Sequence, residues 1–136
     1  MSDKVTIVLR TRNRPKMLAR ALASIGAQTF TGYRVVVVND AGDEQQVRAV
    51  VDAQDPGLRE RVELVTNKTS KGREAALESG LAASVLEYFA VHDDDDAWHP
   101  RFLEETVAHL DANPEMGGVT TRCEIVRERV RADGEC

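Results

Sequence analysis

The sequence predicts an α/β protein built on a doubly wound, mostly parallel sheet with helices on both faces. Short apolar, β-branched runs alternate regularly with stretches of helical periodicity, which is the pattern of strand-helix-strand units with right-handed crossovers. Val35-Val36-Val37-Val38 is apolar on both faces, as a central strand covered from each side must be. The apolar runs also stop abruptly at polar residues, so the strand ends carry the chemistry.

Val5-Thr6-Ile7-Val8-Leu9 reads as a buried strand that breaks at Arg10-Thr11-Arg12-Asn13. A helix follows, with Asn13 as N-cap, Pro15 in the first turn and Leu18, Leu22 and Ile25 on one face, ending near Gly26. The second strand, Val35 to Val38, stops at Asn39-Asp40-Ala41-Gly42. Glu44 to Ala53 forms a helix through Val47, Val50 and Val51, and Asp55-Pro56-Gly57 forms a turn. Val62 to Val65 is the third strand, and Asn67 to Gly72 a basic loop leading into a helix over 73–84. Tyr88 to His92 is the fourth strand. His99-Pro100 opens a helix through Leu103, Val107 and Leu110 that stops at Asn113-Pro114, and Val119, Thr121, Cys123 and Ile125 alternate as a last strand.

In a parallel sheet the carboxyl ends of the strands lie along one edge, where such folds bind ligands. The segments Thr11 to Asn13, Asn39 to Asp40 and Asp93 to Asp96 all follow strands directly and are expected to meet there. The aspartate run is the sharpest of them. Along an extended chain Asp93 and Asp95 point the same way, about 7 Å apart at Cα, a reach at which short carboxylates converge on one hard cation. A solvated acidic turn is the alternative. Asp40 has two readings as well, as a binding group or as a residue that closes the turn after its strand.

With 136 residues, 42% of them hydrophobic, the chain is long enough for one domain with a real core, and residues 1–136 are expected to form it. The net charge of -5 opposes binding to nucleic acid or to anionic membranes, so an anionic ligand needs a local cation. Cys123 and Cys136 are too few for a disulfide framework and lack zinc-site spacing, and no run reaches the length of a membrane span. A cytoplasmic location is the expectation, with peripheral membrane attachment left open.

Several motifs together resemble the N-terminal, nucleotide-sugar-binding half of the inverting GT-A glycosyltransferases of family two. Val5 to Pro15 resembles that family's opening strand and Thr-Tyr-Asn-Arg-Pro loop, and Ala27-Gln28-Thr29-Phe30 its Ala-Gln-Thr-Tyr helix end. Val35 to Gly42 is similar to its strand and Asp-Asp-Gly-Ser loop, Asn67 to Gly80 to its Asn-x-Gly loop and small-residue helix, and Asp93 to Pro100 to its Asp-Asp-Asp-Asp-x-Trp-x-Pro motif. The likeness runs over about residues 5–126.

The resemblance implies a Rossmann-like GT-A domain, incomplete at this length, that binds a nucleoside diphosphate sugar. A UDP-sugar is the first expectation, with GDP- and dTDP-sugars as alternatives. It implies that Thr11 and Arg12 line the nucleotide pocket, that Asp40 accepts a hydrogen bond from the base, and that Lys71 and Gly72 lie against the nucleotide. It further implies Asp94 near the ribose, and Asp93 and Asp95 as ligands of Mn²⁺ or Mg²⁺. Arg10 and Arg12 stand where the family more often has Pro and Tyr, and Leu77 and Glu78 where an Arg-Asn pair is common. The family's acceptor site and general base come from a later part of its chains; Asp133 and Glu135 are not suited to that role, and no catalytic base is assigned here.

Some residues keep a plainer reading beside this one. Lys71 and Arg73 also fit as solvated charges, Trp98 as a packing residue that anchors its loop, and His92 as an interior histidine. Two other functions compete: a nucleotide-sugar-binding module without catalysis, and a receiver-type phosphoacceptor domain. A dinucleotide oxidoreductase is disfavoured, since no Gly-x-Gly-x-x-Gly follows the first strand.

Overall fold

The computed structural model describes residues 3–69, 73–83 and 86–118. The chain divides into two units, Met1–Glu105 and Thr106–Cys136. The first holds a four-stranded sheet in the order β3-β2-β1-β4. Its strands are β1 (Val5–Thr11), β2 (Tyr33–Asp40), β3 (Val62–Asn67) and β4 (Tyr88–Asp93), and every pairing is parallel. The helices between them are α1 (Pro15–Gly26), α2 (Glu44–Asp52), α3 (Pro56–Arg59) and α4 (Arg73–Ala83). The last helix, α5 (Phe102–Ala112), starts in the first unit and runs into the second. Beyond it, the described part of the second unit is a turn in which Asn113 Nδ2 donates to the His109 carbonyl at 2.8 Å.

The two central strands are buried on both faces, which is why their sequences are apolar without alternation. Val8, Val36 and Val38 pack with Ala76 of α4 on one side, and Ile7, Leu9, Val35 and Val37, which alternate to the other side, are equally buried. Helix α4 comes so close to the sheet that a Cβ on Gly80 would stand 2.5 Å from Val8 Cγ1 and 3.3 Å from Val38 Cγ2. Those valines are short, branched and fully enclosed, so they cannot swing away. Gly80→Ala is therefore expected to cost about 1–3 kcal/mol by pushing α4 off the sheet, read as a lowered denaturant midpoint at unchanged m-value.

Several boundaries differ from the sequence expectation. Strands β1, β2 and β3 continue through Thr11, Asp40 and Asn67, because the polar residues stay in the ladder: Thr11 is paired with Asn39, and Asp40 with Asn67. Asn13 is not the cap of α1. It adopts φ 52°, and its Oδ1 accepts from the Asp43 backbone N–H at 3.0 Å, leaving Arg14 at the N-cap with no side-chain hydrogen bond and Pro15 to start the helix. Asp43 caps α2 instead, with Oδ1 accepting from Gln45 N and Gln46 N. A short helix, α3, replaces the expected turn after Asp55. α5 begins at Phe102 rather than His99; ahead of it the His99 carbonyl accepts from both Gln28 Nε2 and Phe102 N, and the Pro100 carbonyl from Thr29 N just beyond α1. The expected last strand from Val119 to Ile125, both cysteines, Asp133, Glu135, Lys71 and Gly72 lie outside the described residues.

Candidate functional site

The parallel register brings the polar ends of β1, β2 and β4 to one edge. Thr11 is level with Asn39 on β2, and Arg10 with Asp93 on β4, so residues more than 80 positions apart in sequence become neighbours across about 4.8 Å of sheet.

On the β2 side, Asp40 is buried at 2% exposure. The loop after it is closed by Asn39: its Oδ1 accepts from Gly42 N and its Nδ2 donates to the Gly42 carbonyl, both at 3.0 Å. Ala41 is held at φ 66°, and its N–H donates to the Asn67 carbonyl at 2.8 Å. A non-glycine residue in that region stores strain, which is characteristic of loops shaped for binding. Asn67 is itself buried, with Oδ1 accepting from Ser79 Oγ at 3.4 Å and Nδ2 unpartnered among the described residues.

On the β4 side, the four aspartates separate into three and one. A tight turn, in which Asp96 N donates to the Asp93 carbonyl at 3.1 Å, folds the run back on itself. Asp93 N in turn donates to Asp96 Oδ2 at 3.3 Å. Oxygens of Asp93, Asp95 and Asp96 thereby lie within 4.8 Å of one another. Asp93 and Asp95 do converge, but the turn rather than strand alternation brings them together, and it adds Asp96. A compact set of carboxylate oxygens suits a hard divalent cation such as Mg²⁺ or Mn²⁺.

Asp94 points elsewhere. Its carboxylate is buried against β1, where Oδ2 accepts from Thr11 Oγ1 at 3.1 Å and Oδ1 from Arg14 Nη1 at 3.3 Å. Those two bonds tie the acidic turn to the β1–α1 loop. Asp94, Thr11, Arg10, Arg12 and Arg14 line a cleft of about 210 Å³.

A second set of contacts holds the turn from behind, and its partners did not follow from the sequence pattern. Ser24 of α1 accepts from Trp98 N at 2.8 Å and donates to the Trp98 carbonyl at 3.3 Å. Gln28, 5% exposed, donates to the His99 carbonyl at 2.8 Å and accepts from Leu103 N at 3.0 Å. Each bond spans more than 70 residues, so periodicity carries no trace of it. The repeat of Ala27-Gln28-Thr29-Phe30 in the resembled family was the one available signal. Gln28→Ala would strip the partner from the buried Leu103 N–H and one of two donors from the His99 carbonyl, and is expected to cost about 1–3 kcal/mol by denaturation.

Trp98 packs between His92 and Phe102, with ring centroids 4.5 Å and 4.4 Å away. His92 is fully buried; its Nδ1 donates to the Asp93 carbonyl at 2.6 Å and its Nε2 has no partner among the described residues. Burial pushes its pKa below the ordinary value, outweighing the pull of the Asp93 carbonyl and of Asp96, Asp93 and Asp95. His92 is thus an interior packing residue in its neutral form, as the plainer reading had it.

A parallel α/β sheet with a carboxylate turn and a polar cleft at its carboxyl edge is the architecture of the GT-A glycosyltransferases. The solved mannosyltransferase PcManGT from Pyrobaculum calidifontis, in complex with GDP-Man and Mn²⁺, superposes with a TM-score of 0.71 at 25% identity over 81% of this chain and 33% of its own. S. aureus TarS in complex with UDP-GlcNAc gives the same TM-score of 0.71 at 23% identity, over 82% of this chain and 32% of its own. The family model described as Glycosyl transferase family 2 matches residues 6–134, and the chain belongs to that family. Among curated relatives, the putative glycosyltransferase EpsE of Bacillus subtilis is 30% identical over 108 residues, 79% of this chain and 38% of that protein. The chain therefore spans little more than a third of the relatives it matches. No helix among the described residues is long and apolar enough to cross a membrane.

Proposed function

We propose that the chain is the donor-binding part of a metal-dependent glycosyltransferase and holds a nucleoside diphosphate sugar at the carboxyl edge of its sheet. The observation that carries this reading is the turn that gathers Asp93, Asp95 and Asp96 beside the cleft at the end of β1. In it, those three carboxylates hold Mn²⁺ or Mg²⁺. When bound, the cation offsets the negative charge that grows on the nucleoside diphosphate as the sugar-phosphate bond breaks. Asp40 accepts from the base, Thr11 and Arg12 flank the nucleoside, and Lys71 and Gly72 are the further nucleotide contacts. Asp94 holds the β1 loop against the acidic turn through Thr11 and Arg14 and faces the ribose from there. A UDP-sugar is the first choice of donor, with GDP- and dTDP-sugars next; the solved relatives carry GDP-Man and UDP-GlcNAc.

Calorimetric titration with UDP, GDP, dTDP and their sugars, with and without Mn²⁺, tests the proposal. Binding of at least one of them that strengthens with Mn²⁺ is expected, and the absence of any would overturn it. The alternative is a module that binds the nucleotide sugar without transferring it. Donor hydrolysis or transfer separates the two.

A further inference from the structure

The geometry points to the cleft of Arg10, Arg12 and Arg14, beside the acidic turn, as a diphosphate-binding pocket in its own right, so that affinity for a nucleoside diphosphate keeps a component independent of the metal. This rests on the donor-site reading above; it brings in Arg10 and Arg14, to which that reading gives no contact with the ligand, and directs the Arg12 guanidinium beside the nucleoside to the diphosphate.

Charge is the first argument. Arg14 gives Asp94 its ion pair at 3.3 Å, so those two charges cancel within the cleft. Arg10 and Arg12 also line it, and neither guanidinium has an ion-pair or hydrogen-bond partner among the described residues. Two positive charges are left over, matching the two ionised oxygens that a diphosphate carries when esterified at both ends. At the end of the neighbouring strand, the three carboxylates of the turn exceed the charge of any one divalent cation, so a metal bound there leaves the turn net negative and cannot by itself neutralise a diphosphate.

Size and position agree. At about 210 Å³ the cleft has room for a pair of phosphoryl groups but not for a whole nucleotide sugar. Arg10 is level with Asp93 in the parallel register, one strand spacing of about 4.8 Å away, so a diphosphate in the cleft also reaches the acidic turn. The residue type fits as well. A guanidinium presents a planar fork of N–H donors that pairs with two phosphoryl oxygens at once, which an ammonium does not. Arg12 and Arg14 are exposed and Arg10 half-buried, so their fields are screened by salt and the interaction should weaken as ionic strength rises.

The test is titration of the full chain with inorganic pyrophosphate, UDP and GDP in EDTA, for the native protein and for Arg10→Gln, Arg12→Gln and Arg12→Lys, each checked for native circular dichroism. Expected is salt-sensitive binding by the native chain without metal, weakened about tenfold by each glutamine and by a smaller factor by lysine. No binding in EDTA, or native affinity in both glutamine variants, would overturn the inference. If the nucleoside diphosphates still bound with Mn²⁺ in that case, the donor-site reading would stand and only the basic pocket would fall. Pyrophosphate bound in EDTA with no response of any nucleotide to Mn²⁺ would support the pocket and sink the metal-dependent reading.

Discussion

Replacing Asp95 with alanine is expected to lower Mn²⁺-dependent affinity for the nucleoside diphosphate by about 100-fold or more, with little change in stability. Asp95 is exposed at the tip of the turn and buries no apolar surface, so its loss removes one of three converging carboxylates without opening the core. A fold loss of that size corresponds to about 3 kcal/mol, reasonable for one charged oxygen donor to a divalent ion. Asp94→Asn should behave differently. It keeps an oxygen for Thr11 but loses the charge that holds Arg14, so the β1 loop loosens while the three converging carboxylates remain. Parallel titrations with Mn²⁺ alone and with nucleotide separate the two. Equal effects of Asp95→Ala and Asp94→Asn on metal binding would contradict the division of the aspartates into three and one.

Trp98→Ala is expected to have the largest effect on stability, about 2–4 kcal/mol, seen as a fall of roughly 10 °C in Tm. The indole lies against both the buried His92 ring and Phe102, and its removal would let water reach an imidazole whose neutral form burial maintains. His92 immediately precedes the acidic turn, so metal affinity should fall together with stability. Trp98→Phe keeps an aromatic face toward both neighbours and should recover most of each. Wild-type melting of Trp98→Ala would mean that the loop is held by Ser24 and Gln28 alone.

How much was legible in the sequence varied with the range of the interaction. Val35 to Val38 announced a central parallel strand, because burial on two faces demands an unbroken apolar run, and the polar ends of β1, β2 and β4 followed from that to one shared edge. Asn13 misled, since the same short amide that favours an N-cap also tolerates a left-handed backbone, and a neighbouring loop's N–H decided between them. Ser24 and Gln28 gave no periodic signal, because what they bind lies on a segment over 70 residues away.

The sequence by itself determined the class of fold and the edge at which the polar strand ends meet, since strand burial and chain direction follow from local pattern. Tertiary structure alone decided what each aspartate faces. A run of four like charges is locally symmetric, and only the closing of a tight turn against β1 could direct Asp94 to Thr11 and Arg14 and leave Asp93, Asp95 and Asp96 facing one another.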